Sequence, residues 1–81
     1  MHEHDEANIE DCLFAISHIE EYIDGISSSD QLLNDYKTYD AVLMNFVIIA
    51  EACNRISPDL QIEHSEIPWK NIRGFRNFIA Q

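Results

Sequence analysis

Apolar residues recur along most of the chain at steps of three and four, the spacing of one face of an α-helix. The first run is Ile9, Cys12, Leu13, Ile16, Ile19, Ile23 and Ile26. It predicts an amphipathic helix that follows a frayed, acidic leader over residues 1–7. Gly25 weakens the end of that helix, and Ser27-Ser28-Ser29 stops it. Ser29 or Asp30 is a natural N-cap for the next element. The second helix is long, with one seam of Leu32, Leu33, Tyr36, Tyr39, Leu43, Phe46, Ala50 and Cys53. The seam narrows at Ala50, where a neighbouring helix can come close. Val42, Ile49 and Ile56 form a second seam beside it. A face this wide needs two neighbours, and the first helix supplies one. The other must be the C-terminal helix, another subunit, or both. Pro58 ends the second helix after Ser57, and residues 58–66 read as a loop.

A third helix is predicted over Trp69 to Ala80, with Pro68 in its first turn, where a missing N–H is harmless. Trp69, Ile72, Phe75 and Ile79 keep the helical step. Gly74 sits inside, at about 1 kcal/mol relative to Ala, and suggests close approach of another backbone. No strand pattern and no repeat is present. The prediction is an all-α, up-down bundle of three helices forming a single domain over residues 1–81. The pattern stops at Gln81 without a C-cap, so truncation in the last helix is expected.

Size changes this picture first. With 81 residues, 46% apolar and only two Gly and two Pro, the chain is neither disordered nor collagen-like. A chain this short buries roughly 60–65% of its unfolded surface and is marginally stable alone, so a partner subunit is expected. No stretch approaches the roughly 18 apolar residues of a membrane helix. The acidic MHEHDEAN start is no signal peptide. Cys12 and Cys53 fall among apolar residues and read as reduced, buried thiols of a cytoplasmic protein rather than a disulfide or metal pair.

Charge changes it second. A net charge of −10 repels nucleic acid from the chain as a whole. Three of the five bases, however, are Lys70, Arg73 and Arg76, in one short segment. On a helix, 69, 72, 73 and 76 share a face, so Arg73 and Arg76 point the same way. They either salt-bridge to the acidic body or form an RNA-facing patch with Lys70. Trp69 either anchors a core or interface or stacks on a base. Glu51, four residues before Arg55, either forms an i,i+4 ion pair with it or, with Asn54, orients Arg76 from across the bundle. Asp40 is either an exposed acid or a partner for a buried Arg of the third helix. His2 and His4 lie with Glu3 and Asp5 in a leader that lacks the fixed geometry of a metal site. His18 and His64 are isolated and expected at the surface.

The segment Ile67-Pro-Trp-Lys-Asn-Ile-Arg-Gly-Phe-Arg-Asn-Phe-Ile-Ala resembles the HEPN superfamily, as do Asp40-Ala-Val, the Ile49-Ala-Glu-Ala stretch and Asn54-Arg55. Within it the resemblance is to HepT-type toxins and runs from about Asp11 to the end. The resemblance implies a type VII HEPN/nucleotidyltransferase toxin–antitoxin system. Its toxin is a metal-independent, homodimeric endoribonuclease that needs no cofactor, and its partner is a minimal nucleotidyltransferase antitoxin. It further implies an Arg-x4-His-x-Tyr motif lining a cleft between subunits. The Arg holds the scissile phosphate, which suits its permanent charge and planar fork. The His moves a proton during attack by the ribose 2′-hydroxyl, and the Tyr receives nucleotide from the antitoxin. Arg76 and Asn77 match the Arg-Asn of that motif. The His position holds Gln81, which hydrogen-bonds but cannot shuttle a proton, and the sequence ends before the Tyr position. Impaired catalysis follows as an expectation, with a non-catalytic domain that dimerises and binds the antitoxin, or a protein fragment, as the alternative.

Overall fold

A computed structural model describes residues 2–80, with the side chains of 75, 76 and 78–80 left aside. Every regular element among the described residues is helical: α1 Asp5–Tyr22, α2 Ser29–Leu33, α3 Tyr36–Asn54, α4 Pro58–Glu63 and α5 Trp69–Ala80. The predicted all-α bundle is what forms, with three longer helices as expected and two short ones added. The C-terminal helix has the predicted bounds. No helix among the described residues is long and apolar enough to cross a membrane.

The caps explain where the boundaries moved. The expected single second helix is two. Asp35 caps α3, its carboxylate accepting the Thr38 N–H at 3.2 Å and the Thr38 hydroxyl at 2.7 Å. These two hydrogen bonds hold the Asp35 carboxyl below the usual carboxylate range. The cap of α2 is Ser28, not Ser29 or Asp30. Its hydroxyl accepts the Gln31 N–H at 3.1 Å, while the Gln31 side chain accepts the Ser27 N–H at 3.0 Å. This is a variant of the capping box, with the return bond made to the residue before the cap. Helix α1 ends at Tyr22, short of Ile26, because Gly25 turns the chain at φ +85°. The predicted 58–66 loop contains α4, capped by Ser57 with Pro58 in its first turn.

The leader is not frayed. Helix α1 starts at Asp5, whose side chain is 1% exposed. The Asp5 carboxylate accepts the Ser57 N–H at 2.8 Å, the Ser57 hydroxyl at 2.7 Å and the His2 N–H at 3.1 Å. These bonds, those from Ser57 above all, hold its carboxyl below the usual range. His2 adds an outer contact to Asp59 at 3.0 Å.

Asp5 on Ser57 and Cys12 beside Cys53 set α1 antiparallel to α3. Each helix offers a row at steps of three and four: Asp5, Asn8, Cys12, Ala15 and Ile19 on α1, and Val42, Asn45, Ile49, Ala52 and Ile56 on or just after α3. All ten are buried or half-buried. The α1 stripe is thus rotated from the expected one, and Leu13 (60% exposed), Phe14 (63%) and Ile16 lie outward. Ala15, Ala50 and Ala52 are almost fully buried, and such small side chains let backbones approach. Buried Asn45 is satisfied by donating to the Ala41 carbonyl at 2.8 Å. The seams of α3 are used differently from expectation. The Val42–Ile56 row is covered within the chain, while Leu32, Tyr39 and Phe46 line a groove of about 430 Å³.

Candidate nucleic-acid interface

Helix α5 carries Lys70, Arg73 and Arg76 and no acidic residue. Its position is set from its first turn. Trp69 is half-buried, and its indole N–H is shared between the Gln61 carbonyl at 3.1 Å and the His64 carbonyl at 3.0 Å. The indole lines a pocket with Ile56, Cys53 and Ile67. One turn on, half-buried Ile72 and exposed Asn71 line a second pocket with Phe46, Ile49 and Ala50 of α3. The pairing of Trp69 with Cys53 and of Ile72 with Ile49 runs α5 antiparallel to α3. Trp69 is therefore an anchor, one of the two roles open to it.

The outer face of α5 reads Lys70, Arg73, Gly74 and Asn77, all exposed and one helical row. The ion pairs among the described residues are His2–Asp59 and His64–Glu66. Lys70 and Arg73 are therefore not neutralised by the acidic body. Arg73 Nη1 donates instead to the neutral Gln61 Oε1 at 3.3 Å. A Cβ added at Gly74 meets nothing within 4 Å, so no other element among the described residues approaches it.

The other candidates are placed as follows. Arg76 lies in α5, three residues beyond Arg73, with its side chain outside the described ones, as are those of Phe75 and Ile79. Gln81 lies outside the described residues. Asn77 is exposed and engaged, and Glu51 is half-buried and engaged. The Glu51–Arg55 ion pair that the spacing suggested is not made. Asp40 is exposed, on the half of α3 toward which α5 runs. His18 is exposed and stacks on Tyr22, ring centroids 6.1 Å apart. His64 is exposed, and its ring N–H donates to the Glu66 carboxylate at 3.3 Å; the Glu66 backbone N–H first, and this contact second, hold the Glu66 carboxyl below its usual range. Among the described residues, no three His, Cys, Asp or Glu side chains gather as metal ligands.

Two polar features escaped the residue pattern. The Asp5–Ser57 clamp joins positions too far apart for periodicity to reveal. Ser57-Pro58 is a helix-start signal as well as the stop of the helix before it. Cys12 and Cys53 are half-buried and free, with their sulfurs 3.8 Å apart.

Chemically, α5 offers fixed positive charge and amide hydrogen bonding on one outer row. None of the four histidines lies on it. It can hold an anion, and a proton donor must come from elsewhere.

The architecture is that of a small helical-bundle protein whose last helix concentrates its cations. Residues 13–81 match the HepT-like family, described as Ribonuclease HepT-like. The chain belongs to that family, within the HEPN superfamily. A protein of Thermococcus cleftensis strain CL1 described as Probable ribonuclease HepT is 39% identical over 69 residues. The alignment covers 85% of this chain and 62% of that relative, so the chain spans less than two thirds of the relative's length. No solved structure matches.

Proposed function

We propose that the chain is the RNA-holding domain of a HepT-type toxin, with the bases of α5 as the phosphate-binding groups. The observation that supports this is that Lys70 and Arg73, exposed on α5 of a −10 chain, form no ion pair with an acidic side chain among the described residues. Phosphate binding releases counterions, so unpaired cations gathered on one helix drive RNA contact where a uniformly acidic chain would not.

In this reading Arg76 forks onto the scissile phosphate, Asn77 hydrogen-bonds beside it, and Lys70 and Arg73 hold flanking phosphates. Glu51 and Asp40 orient the cationic row from α3. The ribose 2′-hydroxyl is the nucleophile, no metal is required, and two copies of the chain form the cleft. The 81 residues act as one domain, paired with a nucleotidyltransferase antitoxin. Gln81 occupies the proton-transfer position, and an amide cannot carry a proton there. Cleavage is then reduced by about 10²–10⁴, the usual share of a general acid or base.

The test is cleavage of single-stranded RNA by the purified chain in EDTA, beside Arg76→Ala and Gln81→His. The proposal expects weak cleavage that Gln81→His raises by about 10²–10⁴ and Arg76→Ala abolishes. RNA neither bound nor cut by any of the three overturns it.

A second reading is favoured by a separate observation. Leu13, Phe14, Met44 and Ile48 are exposed, and the Leu32–Phe46 groove is apolar. Such surface suits protein contact. A non-catalytic domain that dimerises and holds the antitoxin would then bind protein and leave RNA intact in every variant.

A further inference from the structure

Cys12 and Cys53 are 41 residues apart in sequence, yet their sulfurs are 3.8 Å apart across the α1–α3 contact. The Cys12 thiol also lies 3.9 Å from the Ile49 carbonyl. Two features hold them level. The Asp5–Ser57 clamp fixes the register of the antiparallel helices near their ends, and buried alanines keep the backbones close. Both thiols line an apolar pocket of about 350 Å³, together with Leu13, Ile56 and Trp69. The pocket lies beside α5 rather than on its cationic row.

We propose that Cys12 and Cys53 are a modification site, a dithiol that small organic disulfides convert to an internal disulfide tying α1 to α3. The sulfurs must close by about 1.8 Å to reach the 2.03–2.05 Å of the bond. A single χ1 rotation sweeps a sulfur through a larger arc, so the helices need not part.

The chemistry balances with one molecule of disulfide, RSSR. One cysteine thiolate attacks a sulfur of RSSR and expels RS⁻, leaving a mixed disulfide on the protein. The other cysteine attacks the protein-bound sulfur, expels the second RS⁻ and closes the bridge. The protein loses two protons and two electrons, and RSSR becomes two RSH. Burial first, and the Cys53 thiol second, push the Cys12 thiol up to about 12. Its thiolate is scarce at neutral pH, so the exchange is slow there and quickens as pH rises.

The site is chosen by proximity and not by thiol reactivity, which separates two outcomes cleanly. The purified 81-residue chain is incubated with oxidised glutathione and analysed by intact mass, thiol titration after unfolding, and non-reducing peptide mapping. The expected product has lost two hydrogens and both free thiols, with Cys12 and Cys53 in one cross-linked peptide. Its melting temperature rises by about 10 °C or more, because the bridge constrains a long loop of the unfolded chain. Reductant reverses the shift. Fluorescence of Trp69, the single tryptophan, falls on oxidation and recovers with reductant, since it lines the same pocket. Cys53→Ser and Cys12→Ser each take one glutathione as a stable adduct and show no such rise. The proposal is overturned if the unsubstituted chain accumulates glutathione adducts, cross-links only between chains, or keeps both thiols through prolonged exposure above neutral pH. The mapping on the unsubstituted chain decides the matter even if a serine variant fails to fold.

Discussion

Helices α3 and α5 both pack antiparallel to a neighbour, but they are held by different means. The α1–α3 pair joins along a row of small residues and is locked at one end by a carboxylate that takes three hydrogen bonds. Helix α5 rests on α3 through Ile72 and is pinned at its start by one indole. Its outer row is charged where α1 shows Leu13 and Phe14. The scaffold and the chemistry-bearing helix are thus separate structural units. Changes at α5 are expected to alter anion binding and local opening, and changes at the α1–α3 end to alter global stability and its dependence on pH.

The sharpest way to break this contrast is Trp69→Ala. It removes a large side chain and both bonds that pin α5, at a cost of about 3 kcal/mol. The urea midpoint should fall, and amide exchange should show α5 opening while α1 and α3 stay protected. Uniform loss of protection would mean that α5 and the α1–α3 pair are one cooperative unit.

Ser57→Ala probes the other anchor. It removes the α4 cap and the hydroxyl on Asp5, at about 1–2 kcal/mol by equilibrium unfolding. It should also flatten the acid response. The Asp5 carboxyl is held low in the folded chain, so below about pH 3.9 the unfolded chain binds more protons. The clamp's contribution is whole above that value and is lost as pH falls through the lower native one. Urea midpoints near neutrality and at about pH 3 should therefore converge more in Ser57→Ala and Asp5→Asn than in the unsubstituted chain.

Gly74→Ala should stabilise by about 1 kcal/mol, since the position is helical, exposed and open. Calorimetry should show a rise in melting temperature of about 4–8 °C. A rise accompanied by lost RNA binding would place RNA or a second chain against Gly74. Arg73→Ala should leave stability within about 0.5 kcal/mol. It should lower the slope of log affinity against log salt for single-stranded RNA by about 0.7, measured by fluorescence anisotropy. An unchanged slope would remove Arg73 from the interface.

The sequence was most readable where local chemistry alone decides the outcome. Pro68 and the Trp69–Ile72 step mark α5 correctly, because its start and its buried face both lie within a few residues. The break before α3 was hidden because Leu32, Leu33, Tyr36 and Tyr39 keep helical spacing across it. The signal that mattered was Asp35 with Thr38, a cap rather than a period. The rotation of α1 was not readable, because what turns Ile16 outward is the fit of Ala15 and Asn8 against a helix more than thirty residues away. Of the candidate site, the gathering of Lys70, Arg73 and Arg76 was legible as composition. That Lys70 and Arg73 stay unpaired was not, since pairing depends on which faces the acidic helices turn toward them.

The Asp5–Ser57 clamp also sets a timetable for synthesis. Its halves are 52 residues apart, so Asp5 is made first and waits for its partner. At 5–20 residues per second the wait is roughly 3–10 s. Throughout it, α1 has neither its antiparallel neighbour nor a satisfied first turn. The first turn of α1 is thus made long before it locks, and the scaffold cannot close until Ser57 has followed Asp5 out of the ribosome.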